Sequence, residues 1–179
     1  MNKWDEDLAF SIATQPLQDK IYHYVFGNTL KKITRFFKED SHVLDRNYHI
    51  DVELMLQNGI KLLGQEKALR KKFSSFNTFT IEFYQNRHSK EKGEFFNLGA
   101  QFYLHGYVNG NEPNEITKFI KCYFIKIFDF LEDLKKKPIE ILEQNTRQSS
   151  GKASFYHIQY DSIPKDFIYW DMSNTRRIK

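Results

Sequence analysis

At 179 residues, with 40% hydrophobic content that includes 17 Phe and 10 Tyr, the chain can bury the core of one domain, and this excludes a disordered polymer. Lys and Arg number 27 against 23 Asp and Glu, a net charge of +4 that is compatible with a polyanionic partner without establishing one. The lone Cys122 excludes an internal disulfide, no apolar run reaches membrane-spanning length, and the acidic start MNKWDEDLAF is unlike a signal peptide, so a cytoplasmic protein with no membrane partner is expected.

In chain order, Trp4, Leu8 and Ile12 recur at four-residue spacing and predict a short helix over 3–14. Pro16 suits an early position in a second helix, capped by Thr14 and running to Phe26, with Ile21, Tyr22, Val25 and Phe26 on one stripe. Gly27-Asn28 interrupts it, and Leu30, Ile33 and Phe37 predict a further helix over 29–38. Asp5, Glu6 and Asp7 are acids that favour a helix N-terminus. Residues 39–48 read as a connector, in which Asp45 is a second candidate acid that loop solvation explains equally well.

The stretch 49–67, HIDVELMLQNGIKLLGQEK, organises the rest. Asn58-Gly59 between two apolar-alternating runs is a hairpin signal, because both residues tolerate positive φ. Ile50, Val52, Leu54 and Leu56 alternate with His49, Asp51, Glu53 and Met55, so one face of the first strand is expected to be buried. On the second strand Gln65 and Lys67 share a face and Glu66 takes the other. A two-residue Asn-Gly turn pairs Gln57 with Ile60 and so places Asp51 opposite Glu66. Bringing Asp51, Gln65 and Lys67 together requires one bulge or a longer turn.

Asp51 on one strand and Gln65-Glu66-Lys67 on the next resemble the PD-(D/E)xK nuclease superfamily, whose restriction-endonuclease-like fold carries an Asp on one strand and an acid-x-Lys on its neighbour. Segments 79–86 (FTIEFYQN) and 93–107 (GEFFNLGAQFYLHGY) are similar to those of small phage-type members, and the resemblance covers about residues 1–165. It implies an α/β domain on an α-β-β-β core, with a central mixed sheet flanked by helices and a basic tail over 166–179. Its implied chemistry is Mg2+- or Mn2+-dependent hydrolysis of DNA phosphodiester bonds in a bacterial or phage-infected cell. The metal would be held by the Asp51 carboxylate, the Gln65 side-chain oxygen and the Glu66 backbone carbonyl, with Lys67 orienting the attacking water. Small nucleases of this fold often dimerise to cut both strands, so a homodimer is compatible with the resemblance. Two departures stand out. Gln65 occupies a position more often held by Asp or Glu, as in the Gln-x-Lys variant of Mrr-like enzymes, and Gln18 stands where the preceding helix often supplies an extra acid. Both departures suit the alternative of an inactive module of the same fold that binds nucleic acid or a protein.

After the hairpin, Arg70, Lys71 and Lys72 form a basic loop suited to phosphate contacts. Residues 76–84 predict a third strand, rich in β-branched and aromatic residues, on which Glu82 faces away from Ile81 and Phe83. A carboxylate on a central strand needs a partner or a metal, which makes Glu82 an auxiliary site candidate. Residues 85–93 are a Lys-rich loop, Glu94 to Leu98 a short turn or helix, and 100–108 a fourth strand. A loop over 109–113 leads to a fifth strand at about 117–125 and a helix over 127–137, whose lysines suit its C-terminus. Residues 144–152 are a polar loop, 153–160 a last strand, and SNTRRIK a frayed basic end. The six histidines lack zinc-ligand spacing, His49 alone falls near the proposed site, and no P-loop, GxGxxG or GxSxG is present.

Overall fold

The computed structural model describes residues 3–36, 48–148 and 151–172. Its first element is a single helix, α1 (Lys3–Phe26), where the sequence pattern suggested two. Pro16 lies inside it and lacks the N–H that would bond to the Ile12 carbonyl. The helix runs on because Phe10 before the proline and Ile21 and Tyr22 after it are buried in one cluster against the same sheet. Thr14 is no cap: its hydroxyl donates to the Ser11 carbonyl at 2.7 Å.

The predicted helix over 29–38 is instead a strand, β1 (Leu30–Arg35), paired antiparallel with β2 (Val52–Leu56). A bulge between Leu30 and Lys32 explains the misleading period, since one extra residue lets Leu30 and Ile33 reach the same cluster three positions apart. Asp45 and most of the connector fall outside the described residues. From β2 a hairpin leads into β3 (Lys61–Leu69), and β3 pairs in parallel with β6 (Phe102–Val108). Beyond β6 come β7 (Phe119–Ile125) and β10 (Ile168–Asp171), both antiparallel to their neighbours, giving the order β1-β2-β3-β6-β7-β10 in a six-stranded mixed sheet. The tail expected from residue 166 thus contributes the edge strand β10, and the segment SNTRRIK lies outside the described residues.

The strand predicted over 76–84 forms, as β4 (Thr78–Asn86), but in a second sheet with β5 (Glu91–Lys92), β9 (Ser154–Gln159) and β8 (Thr146–Gln148). Part of the loop expected over 144–152 is therefore strand β8. The short helices are α2 (Glu94–Asn97), α3 (Ile127–Leu134) and α4 (Ile139–Gln144).

Strand parity on β6 separates two cores. Phe102, Leu104 and Val108 face α1 with Tyr22, Val52, Leu54 and Phe124, whereas Tyr103 and Tyr107 face Phe79, Phe83, Phe95, Phe130 and Tyr156. Burial on both faces makes every residue of β6 inaccessible. The molecule is a mixed α/β structure whose sheet carries α1 on one side, and the second sheet with α2 to α4 on the other. Among the described residues, no helix is long and apolar enough to cross a membrane.

Candidate active site

The β2–β3 turn decides which side chains meet. Val52 pairs with Gly64 and Met55 with Lys61, so the loop between Leu56 and Ile60 holds three residues, not two. The Gly59 N–H donates to the Leu56 carbonyl at 2.9 Å and Gly59 takes φ +83°, the turn-plus-left-handed-residue geometry of three-residue hairpins. The Asp51 backbone N–H continues the pairing by donating to the Gly64 carbonyl at 2.9 Å, and strand parity puts the Asp51 side chain on the face of Gln65. The longer turn is therefore the device that brings Asp51 onto the face of Gln65 and Lys67.

Contacts follow from that register. The Gln65 amide faces two acceptors, so its orientation is assigned with the nitrogen towards them, donating to Asp51 Oδ2 at 3.2 Å and to the His49 carbonyl. The same Oδ2 accepts the Glu66 backbone N–H at 3.0 Å. His49 holds φ +50°, a left-handed conformation uncommon outside glycine and typical of tightly determined sites. Lys67 lies two residues along the same face, with its ammonium 5.1 Å from the centre of the Phe155 ring.

Glu82 reaches this region from the second sheet, directly across from Phe155. Partial burial raises its carboxyl pKa above the ordinary range, and the like charge of Glu94 adds to this, while Lys67 and His49 pull it back. Glu94 is buried because Gly93 packs on Glu82, where an added Cβ would lie 2.8 Å from the Glu82 carbonyl oxygen. Tyr103, level with Gln65 on β6, is fully buried, with its hydroxyl turned towards the Glu94 carboxylate. Burial and then the nearby Glu94 and Asp51 carboxylates push its ionisation far above the usual phenol range.

His105, level with Lys67, is also fully buried. Its Nε2 accepts the Thr80 backbone N–H at 3.4 Å, so Nδ1 carries the proton facing the Tyr160 hydroxyl. Burial, with a further contribution from Lys67, lowers its pKa well below the ordinary value and keeps the ring neutral. Sequence reasoning missed Glu94, Tyr103 and His105. The alternation Tyr103, His105, Tyr107 on a predicted strand was the available signal for two of them, but only the parallel β3–β6 pairing shows that it faces Gln65 and Lys67.

The other face of β3 explains Glu66. Its carboxylate accepts the Tyr22 hydroxyl at 2.7 Å and Arg35 Nε and Nη2 at 2.9 Å each, while Arg35 also pairs with Asp19 at 2.7 Å. Because α1 covers this face, Gln18 sits across the sheet from Gln65, buried with an unpartnered Oε1. Of the three basic residues assigned to nucleic acid, Arg70 is committed internally. It pairs with Asp7 at 2.9 Å, lies 4.4 Å from the Phe10 ring centre and donates to the Asn111 carbonyl at 3.1 Å. These contacts hold Arg70 against α1 and the Asn111 loop, whereas Lys71 and Lys72 are exposed. Cys122 is fully buried and its thiol pKa is pushed up by that burial, which fits a packing residue.

The chain matches no protein-family model, no curated protein and no solved structure. Function must therefore be argued from the site alone.

Proposed function

We propose that the protein is a Mg2+- or Mn2+-dependent nuclease of the PD-(D/E)xK superfamily, with a restriction-endonuclease-like fold, hydrolysing phosphodiester bonds in DNA. The observation that carries this reading is the Asp51–Gln65 hydrogen bond with Lys67 two residues farther along the same face. Chain order supports it as well: α1 precedes three consecutive antiparallel strands, with the acid entering the second and the Gln-x-Lys run on the third.

The donor set suits a hard cation, which prefers oxygen ligands. The Asp51 carboxylate and the His49 carbonyl both face the Gln65 amide, and turning that amide over presents a third oxygen beside them. The Glu66 carbonyl leaves β3 on the same edge as its N–H, towards Asp51. Among the described residues, no three His, Cys, Asp or Glu side chains converge, so the set is one carboxylate plus neutral oxygens and its affinity is expected to be weak. When bound, the metal lowers the pKa of its water and polarises the phosphate. Lys67, resting on the Phe155 ring, is placed to orient that water and offset charge on the phosphorane. The Glu82 carboxyl interacts electrostatically with Lys67, and burial keeps its pKa raised despite that pull.

The second reading, an inactive module binding nucleic acid or a protein, is favoured by one contact: the Gln65 amide closes on Asp51 as it would in a site that never takes a cation. Plasmid and single-strand cleavage with Mn2+, Mg2+ or EDTA separates the two. Metal-dependent cutting lost in both Asp51→Ala and Lys67→Ala supports the nuclease. Folded wild type that binds DNA without cutting supports the module, and cutting that survives both substitutions places the chemistry elsewhere.

A further inference from the structure

We infer that the turn Lys71–Phe76 is a stacking platform for unpaired bases, which makes single-stranded nucleic acid the substrate class. The substrate part of this inference rests on the nuclease reading above; the binding part does not. The turn is a 3-10 helix that follows β3 directly, one residue after the strand bearing Gln65 and Lys67 ends. In such a helix residues three apart eclipse each other, and Phe73 and Phe76 are three apart. Their rings are stacked, with centroids 6.4 Å apart and planes 20° apart.

Both rings face solvent, Phe73 at 39% and Phe76 at 51% exposure, in a chain that buries Phe79, Phe83, Phe95 and Phe102 to 2% or less. The residues between them, Ser74 and Ser75, are too small to screen them. Lys71 and Lys72 are exposed alongside, and the Lys72 ammonium sits 5.2 Å from the Phe73 ring centre. No carboxylate forms an ion pair with either lysine among the described residues. Flat apolar faces beside exposed cations fit a polyanion that carries aromatic rings, and Glu115, a carboxylate that interacts with Lys71, forms no ion pair with it. Base stacking on aromatic side chains with lysines tracking the backbone is how sequence-tolerant single-strand binding works. A duplex keeps its base faces inside the stack and offers such a platform little. Lys71 follows Lys67 by four positions, about 13 Å of extended chain at roughly 3.3 Å per residue, a span of a few nucleotides.

The test is fluorescence anisotropy in EDTA, where cutting is suppressed, with a labelled oligothymidine and a duplex of equal length. Wild type is expected to bind the single strand about tenfold or more tightly than the duplex, and Phe73→Ala/Phe76→Ala to lose about that factor for the single strand only. Lys71→Ala/Lys72→Ala should weaken both and flatten the salt dependence. Because these side chains are exposed, the variants should fold, and Phe76→Trp adds a direct probe whose emission the oligonucleotide should quench. Equal affinity for both strand types, an unchanged Phe73→Ala/Phe76→Ala affinity or an unquenched Trp overturns the platform. Self-association mediated by the two rings, with no strand binding, overturns it in favour of a protein contact. Cleavage with Mn2+ in Asp51→Ala is scored separately, so loss of the platform and loss of the nuclease remain distinguishable.

Discussion

Asp51 Oδ2 accepts the backbone N–H of Glu66 at 3.0 Å, while the Glu66 side chain leaves by the opposite face of the sheet to meet Arg35 and Tyr22. One residue thus ties the candidate site to the α1 side of the molecule. Arg35 and Glu66 are both largely buried, at 10% and 7% side-chain exposure, so removing one partner strands a charge. Arg35→Met is expected to cost about 3–5 kcal/mol in urea denaturation. Arg35→Met with Glu66→Met should recover part of that loss, because it removes the stranded charge while leaving the buried Tyr22 hydroxyl without its acceptor. A double variant no more stable than Arg35→Met would show that the pair is not what the site leans on.

Gly64 offers a second check on how β3 is held. A Cβ at Gly64 would fall on the Phe102 ring, which lies level with it across the parallel β3–β6 pair. Gly64→Ala must push that ring into the cluster it shares with Tyr22 and Phe124, at a cost of about 1–3 kcal/mol. Thermal melts read the loss, and Gly64→Ala with Phe102→Leu should restore part of it by making room.

The turn makes a sharper prediction. Deleting Asn58 leaves a two-residue loop, and a one-residue slip sends every following side chain of one strand to the other face. Either Gln65 and Lys67 leave the face of Asp51, or the hairpin pays by exposing Val52 and Leu54. The deletion should therefore abolish cleavage and Mn2+ binding, and lower stability, whereas Asn58→Gly should leave all three near wild type. Retained activity in the deletion would mean that register at Asp51 is set elsewhere.

The hairpin was legible because alternation and Asn-Gly are local signals, and both the parity of Gln65, Glu66 and Lys67 and the opposed facing of Glu82 and Ile81 follow from strand geometry. Turn length was not legible, since Asn58-Gly59 serves two-residue and three-residue loops alike. Leu30 and Ile33 misled because a bulged strand imitates a helical interval. Pro16 misled because helix propensity was overridden by packing on both sides of it. Tyr103 and His105 stayed hidden because parallel pairing joins segments separated by two strands of the other sheet, and no local pattern encodes which strands meet across such a distance.

Glu82 tests the electrostatics of the site through pH. Its carboxyl pKa is raised first by burial and then by Glu94, against the pull of Lys67 and His49. The folded protein therefore keeps this proton at pH values where the unfolded chain has already released it. Stability from this group is fully present below the ordinary carboxyl range, and is lost as pH rises through the raised value. Glu82→Gln removes the effect, so the stability of the variant relative to wild type should rise across that window and level off above it. Lys67→Met removes one of the groups holding the value down, and should move the window to higher pH. Urea titrations at closely spaced pH for all three proteins decide the matter. Parallel curves for wild type and Glu82→Gln would mean that Glu82 titrates as an ordinary surface acid. A Lys67→Met window that stays in place would mean that the lysine and the glutamate do not share one site.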